Sequence, residues 1–231
     1  MSDVVDEARW REQVFREHEF SVVRLHSVAG NDFRGNGFIV YHSKTRCLIV
    51  SCQHVVKIAE DGGTMYAYFS NSVAPYNARV LYTDEHRDLA LLWAEEVVEP
   101  MTSLRFFDSP YASGWSVVAL SFISLGASSN PILEPGTFSG DITNEPDEPH
   151  LHCSCSSKEA TSGSPIILAN VNEVVGVLGG ASRASVYAVP VRTIKEFLGQ
   201  RLGGVNVKPR FFHAMDMPIA GMVRLVALQQ A

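Results

Sequence analysis

Short apolar runs, each bounded by turn-forming residues, recur along most of this 231-residue chain. The runs in the first half are rich in β-branched and aromatic residues, and clusters such as residues 35–37 and 61–63 separate them. They occupy residues 21–25, 37–41, 47–51, 65–69, 78–82 and 88–93. Because no helical pattern lies between these runs, they predict an antiparallel barrel or sandwich rather than a parallel sheet.

A second set of similar runs follows a polar, proline-containing stretch at residues 99–110. It occupies residues 115–120, 137–140, 151–155, 165–168, 173–178 and 185–189. The chain is therefore predicted to have two all-β halves, residues 21–104 and 105–202, although no sequence repeat links them.

Helices are predicted at both ends of this all-β region. Residues 1–20 form a helical lead-in, because residues 3–17 contain good helix formers and place Trp10 and Val14 on one side. A closing helix is predicted over residues 191–198, before two consecutive glycines. The last segment, residues 203–231, is shorter than the roughly 40 residues that usually fold alone, and is predicted to be a tail.

The charge pattern argues against two classes of partner. The formal net charge is −6, and no run of Lys or Arg forms a basic patch, so nucleic acid is not expected as a partner. The N-terminal residues lack a signal-peptide pattern, and no window approaches the about 18 apolar residues of a membrane span. We expect an intracellular protein, cytoplasmic or nuclear, that has no membrane partner.

Four cysteines are few for this length and are expected to be free thiols in a reducing compartment. They are Cys47, Cys52, Cys153 and Cys155. A zinc site in the stretch 150–155 is disfavoured, because a strand would place His150 and His152 on one face and the nearby cysteines on the other. No metal and no cofactor are expected.

Three residues stand in positions suited to nucleophilic catalysis. Ser162 lies in the small-residue stretch Ala160-Thr-Ser-Gly-Ser-Pro between two predicted strands, His54 follows an apolar strand, and Asp88 precedes another. Each of these features alone is more often structural. Their order along the chain, His then Asp then Ser, is that of the chymotrypsin triad and differs from the orders of subtilisin and of the α/β-hydrolases.

Seven motifs in the right order resemble the protease domain of the HtrA/Deg branch of trypsin-like serine proteases. They begin at Ser21, Gly35, Ile49, Asp88, Thr161, Val174 and Tyr187 and read SVVRL, GNGFIV, IVSCQHVV, DLALL, TSGSP, VVGV and YAVPVRTIK. The resemblance covers roughly residues 20–200. It implies a chymotrypsin-like fold of two six-stranded antiparallel β-barrels, without an added PDZ domain.

The resemblance also implies roles for individual residues. Ser162 would be the nucleophile, His54 the general base and Asp88 the group that orients it, in a serine endopeptidase that forms an acyl-enzyme. The N–H groups of Ala160 and Ser162 would form the oxyanion hole. The substrate-binding residues would be Ser156 at the base of the first specificity pocket and the strand residues Leu178, Gly179, Gly180 and Ala181, whose small side chains would leave the groove open to an extended peptide.

The sequence departs from the family pattern inside the serine loop. Ala160 stands where the family has Gly, Thr161 replaces an Asp or Asn, and Ser164 replaces a Gly. A catalytically weak or inactive pseudoprotease that binds extended peptides or a protein partner therefore remains the alternative, with a purely structural all-β domain as a third. Protein or peptide substrates are the expected partners, and an N-terminal aromatic segment, with Trp10, Phe15 and Phe20, offers a possible surface for homo-oligomers.

Overall fold

Two closed six-stranded antiparallel β-barrels make up the core of the protein, which confirms the predicted fold class. A computed structural model describes residues 2–27, 32–59, 63–123, 130–142, 150–155, 160–181 and 186–201. Ser156 and the predicted tail, residues 203–231, lie outside the described residues.

The first barrel contains the first six strands. They are β1 (Val22–His26), β2 (Phe33–Ser43), β3 (Arg46–Ser51), β4 (Thr64–Phe69), β5 (Tyr76–Asp84) and β6 (Leu89–Ala94). Their order around the barrel is β1-β2-β3-β6-β5-β4. In β4 and the first part of β5, buried residues alternate with more exposed ones, whereas every residue of β6 is buried.

The second barrel contains the other six strands. They are β7 (Ser116–Ser121), β8 (Ile132–Ile142), β9 (His150–Cys153), β10 (Pro165–Leu168), β11 (Glu173–Ala181) and β12 (Val186–Pro190). Their order, β7-β8-β9-β12-β11-β10, repeats the arrangement of the first barrel. The two halves thus share a topology although their sequences show no repeat.

In the described segments, three helices accompany the barrels: α1 (Ser2–His18), α2 (Gln53–Val56), followed by a 3-10 turn at Lys57–Ala59, and α3 (Val191–Arg201). Val14 is completely buried, and Trp10 and Phe15 pack against the core of the same chain. The aromatic segment that was considered for oligomers therefore has an intramolecular role, and oligomerisation through it stays a prediction. None of the helices in the described segments has the length and apolarity needed to span a membrane.

The barrels share a buried apolar core. One continuous cluster joins first-barrel residues such as Leu48 and Leu91 to second-barrel residues such as Leu120, Ile167 and Val177. This packing holds the end of β3 close to the beginning of β10. The functional residues predicted from the sequence lie along this junction.

Candidate active site

His54 and Asp88 are brought together by the pairing of two neighbouring strands. β3 and β6 are antiparallel, and Ser51 at the end of β3 is paired with Ala90 near the start of β6. Residues just after β3 and just before β6 must therefore lie side by side. His54 occupies the first turn after β3, in α2, and Asp88 directly precedes β6.

The contact between the two side chains is close and doubly supported. His54 Nδ1 lies 2.9 Å from Asp88 Oδ1 and 2.8 Å from Oδ2. The backbone N–H of His54 also donates to Asp88 Oδ1 at 3.0 Å. A carboxylate that accepts from Nδ1–H leaves Nε2 of the neutral ring free to accept a proton.

Ser162 stands across the barrel junction from this pair, on the loop that precedes β10. Its hydroxyl donates to the carbonyl of Gly179 at 3.1 Å. No hydrogen bond between the Ser162 hydroxyl and the His54 ring is present in the described part of the chain, although both residues line one cavity of about 1120 Å³. Asp88 lies in the wall of the same cavity.

The serine loop has two residues in the left-handed backbone region. Gly163 has φ 84°, and a Cβ there would lie 1.9 Å from the Asn36 carbonyl oxygen, so only glycine fits. Ala160 has φ 63°, a conformation that costs a non-glycine residue about 1 kcal/mol or more. The position where the family has glycine thus has a backbone conformation that favours glycine.

Ser164 has a structural explanation. Its buried hydroxyl donates to the Thr161 carbonyl at 2.7 Å, and its N–H donates to the same oxygen at 3.2 Å. The side chain therefore adds a hydrogen bond within the loop, and the replacement of the family's glycine creates no buried unpaired hydroxyl.

Asn36 is a residue that sequence analysis missed. Residues 35–37 were expected to form a turn because of their Gly-Asn-Gly composition, but they lie inside β2. Asn36 is completely buried, and its side-chain Nδ2 donates to the carbonyls of Ala160 at 2.9 Å and Phe122 at 3.1 Å. Asn36 lies in the GNGFIV motif of the family resemblance, but nothing in that motif indicates the contacts of its side chain.

Cys52 brings a thiol close to the His54–Asp88 pair. Its side chain is completely buried, and Sγ donates to the Leu178 carbonyl at 3.2 Å. Cys52, His54 and Asp88 place their potential ligand atoms within 4.8 Å of one another, as a metal site would. However, burial, followed by the nearby Asp88 charge, raises the pKa of the Cys52 thiol well above its usual range, so the thiol is a proton donor at neutral pH rather than a thiolate ligand.

The predicted substrate strand lies at the end of β11. The register of β10 with β11 ends at Val177, and the Leu178 backbone is still hydrogen-bonded to Gly163 and Ser164. On the other side, Leu178, Gly180 and Ala181 pair with β12, with an irregularity at Gly179. A Cβ at Gly179 would lie 2.8 Å from the Tyr187 ring, and one at Gly180 2.7 Å from the Tyr187 hydroxyl. The two glycines therefore make room for Tyr187, which also lines the cavity, and a groove open to an extended peptide stays a prediction.

Two barrels, with a histidine and an aspartate on the first and a serine loop on the second, define the trypsin-like class of proteins. The trypsin-like peptidase domain family matches residues 35–177, more than half of the chain, and the protein therefore belongs to this family. No curated protein matches the sequence significantly.

Solved structures show the same fold. Deg5 is 19% identical with a TM-score of 0.67, and the match covers 82% of this chain and 92% of that one. The Rv3671c protease of M. tuberculosis, in an inactive form, is 22% identical with a TM-score of 0.66, covering 85% and 96% of the two chains. The serine endoprotease from Yersinia pestis is 18% identical with a TM-score of 0.66, covering 83% and 66%. At these identities the similarity establishes the fold.

Proposed function

We propose that the protein is a serine endopeptidase in which Ser162 attacks the peptide carbonyl. The observation that carries this proposal is the double contact between the His54 ring and the Asp88 carboxylate, in the same cavity as Ser162. Membership of the trypsin-like peptidase family supports the same reaction class. Protein or peptide substrates follow from it as the expected partners.

In the proposed reaction, His54 Nε2 takes the proton of the Ser162 hydroxyl as Oγ attacks the carbonyl carbon of the substrate. Asp88 stabilises the imidazolium that forms, and the N–H groups of Ala160 and Ser162 stabilise the oxyanion. Collapse of the tetrahedral adduct breaks the C–N bond, and the leaving amine takes the proton from His54. Water then hydrolyses the acyl-enzyme by the same steps in reverse order.

The hydrogen bond between the Ser162 hydroxyl and the Gly179 carbonyl defines a resting state. Attack requires the hydroxyl to leave the Gly179 carbonyl and donate to His54 instead. An extended substrate pairing with Leu178–Ala181 would compete for the Gly179 carbonyl and so favour this change of partner. Because Ser156 is uncharged, strict cleavage after Lys or Arg is not expected.

The test is covalent labelling by a fluorophosphonate probe at neutral pH. We expect the wild-type protein to be labelled, and Ser162→Ala to abolish labelling while leaving the thermal unfolding temperature nearly unchanged. His54→Ala should lower the labelling rate by a factor of about 10³ or more. Wild-type protein that is folded but not labelled would contradict the proposed activity.

A peptide-binding pseudoprotease is the second candidate. The observations that favour it are the Ser162 hydroxyl held by Gly179 and the left-handed Ala160, both within the proposed reaction site. This candidate predicts that extended peptides bind in the cleft of unlabelled wild-type protein, and that Gly179→Val, which would collide with Tyr187, weakens the binding.

A further inference from the structure

We infer that Asn36 is a positioning residue for the oxyanion loop, residues 160–162, through the hydrogen bond from its side-chain amide to the Ala160 carbonyl. The inference rests on the proposed function, since it assigns Asn36 the task of keeping the N–H groups of this loop in place. Asn36 belongs to the first barrel and the loop to the second, so the contact crosses the junction.

The orientation of the Asn36 amide follows from its partners. The backbone N–H of Phe122 points at the side chain at 2.8 Å, and because an N–H can only donate, the atom it meets is Oδ1. Nδ2 then faces two carbonyl oxygens, those of Ala160 at 2.9 Å and Phe122 at 3.1 Å. Both Nδ2 protons thus have acceptors, and the side chain is locked.

The backbone of Asn36 holds the other end of the loop. Its N–H donates to the Ser162 carbonyl at 2.7 Å, and its own carbonyl accepts from the Ser51 hydroxyl at 2.6 Å. Between these contacts, Ser164 holds the Thr161 carbonyl. All three carbonyls of the loop therefore have donors, and Asn36 supplies the donor to two of the three carbonyls.

Holding a carbonyl fixes the N–H of the next residue, because the peptide unit is planar and the two groups point in opposite directions. By this rule the Thr161 carbonyl, held by Ser164, orients the Ser162 N–H, and the Ala160 carbonyl, held by Asn36, orients the Thr161 N–H. Asn36 therefore acts on the Ala160 N–H through the backbone conformation of Ala160 itself. Ala160 is the weak point, because its φ of 63° is unfavourable for a residue with a Cβ. The Asn36 amide stabilises this backbone conformation directly, and glycine at position 160 would need its help less.

The experiment is a double-mutant cycle in the full chain between Asn36→Asp and Ala160→Gly. Asn36→Asp has the same shape but loses both Nδ2 donors, whereas Asn77→Asp makes the same chemical change on the exposed face of β5 and is the matched control. The amide resonances of Ala160, Thr161 and Ser162 are followed by NMR. The maximal rate of fluorophosphonate labelling and the half-saturating probe concentration are measured separately.

We expect Asn36→Asp to shift the three amide resonances and to lower the maximal labelling rate about tenfold, with little change in the half-saturating concentration. In the Ala160→Gly background the loss should be about threefold or less, and Asn77→Asp should change neither readout. A folded Asn36→Asp protein with unchanged resonances, or an equal loss in both backgrounds, would overturn the inference.

Two further outcomes remain decisive. If the wild-type protein is not labelled, the proposed activity fails, but the resonances of residues 160–162 still decide whether Asn36 holds the loop. If Asn36→Asp does not fold, Asn36→Ser is used, since its short hydroxyl cannot reach both carbonyls and avoids a buried charge. Unchanged loop resonances in folded Asn36→Ser would then overturn the inference.

Discussion

Cys52, like Asn36, is a completely buried polar side chain beside the candidate site. The completely buried thiol donates its one proton to the Leu178 carbonyl at 3.2 Å, and its Sγ lies within 4.8 Å of an Asp88 carboxylate oxygen. Turned toward Asp88, the same S–H would stabilise the carboxylate that faces His54.

Replacing Cys52 by Val, which has a similar volume but no donor, should lower the fluorophosphonate labelling rate roughly fivefold, since the only polar hydrogen that this side chain can turn toward the Asp88 carboxylate is lost. Cys52→Ser, which keeps a donor, should restore most of the rate. The matched control is Cys47→Val, a second fully buried thiol in the same barrel. Equal labelling rates for the Val and Ser variants of Cys52 would contradict the role.

Strand β1 contains an ionisable side chain that makes its packing sensitive to pH. His26 is 9% exposed, its ring lies against Phe33 of β2 and Tyr68 of β4, and neither ring nitrogen has a hydrogen-bond partner among the described residues. Burial and then the Arg24 cation lower the pKa of His26, while Asp32 acts in the opposite direction. The folded protein therefore keeps this ring neutral to a lower pH than the unfolded chain does.

The His26 ring of the unfolded chain takes up a proton near pH 6.5, whereas the ring of the folded protein does so only at a lower pH. The free energy of unfolding is therefore at its full value above about pH 6.5 and decreases as the pH falls below it. We expect the free energy of unfolding to decrease from pH 7.5 to pH 5, and to decrease less in His26→Phe. Denaturant titrations at several pH values measure this. Phe33→Leu, which removes a packing partner, should lower stability equally at both pH values; identical slopes for wild type and His26→Phe would refute the prediction.

At the level of elements, local patterns predicted the strands well because most barrel strands alternate buried and exposed residues or are wholly apolar over four or more residues. The interpretation of residues 35–37 as a turn-forming cluster between strands was wrong, and no local sequence pattern contains the reason. A Cβ at Gly37 would lie 2.6 Å from Ile49 Cγ2, and one at Gly35 2.8 Å from the Ser162 carbonyl oxygen. These glycines permit close approach between elements distant in sequence, rather than a turn.

The sequence likewise predicted one part of the candidate site and not another. The order of His54, Asp88 and Ser162 could be read from the chain, because each follows or precedes an apolar strand. The hydrogen bonds from the Ser162 hydroxyl to Gly179 and from the Asn36 amide to Ala160 could not be predicted, since both depend on how the two barrels pack against each other. Such contacts have no periodicity in the sequence.

At the scale of the whole molecule, the candidate site exists only when the two barrels are packed against each other. His54 and Asp88 come from one barrel, Ser162 and Gly179 from the other, and the larger of two apolar clusters in the described residues spans both, while the smaller one lies in the second half of the chain. A shared core makes independent unfolding of either barrel expensive, because it would expose the partner's apolar surface. We therefore expect one cooperative unfolding transition.

Leu120→Ala tests this expectation. Leu120 is a completely buried β7 residue in the shared cluster, and its truncation should lower the free energy of unfolding by about 2–5 kcal/mol. Pulsed hydrogen–deuterium exchange across a denaturant series reads peptides from β1–β6 and from β7–β12 separately. Because the cluster is common to both barrels, Leu120→Ala in the second barrel should shift the denaturant midpoint of the first barrel by the same amount. Fluorophosphonate labelling of Ser162 should disappear at that same midpoint. A shift confined to β7–β12 would show that the barrels unfold separately.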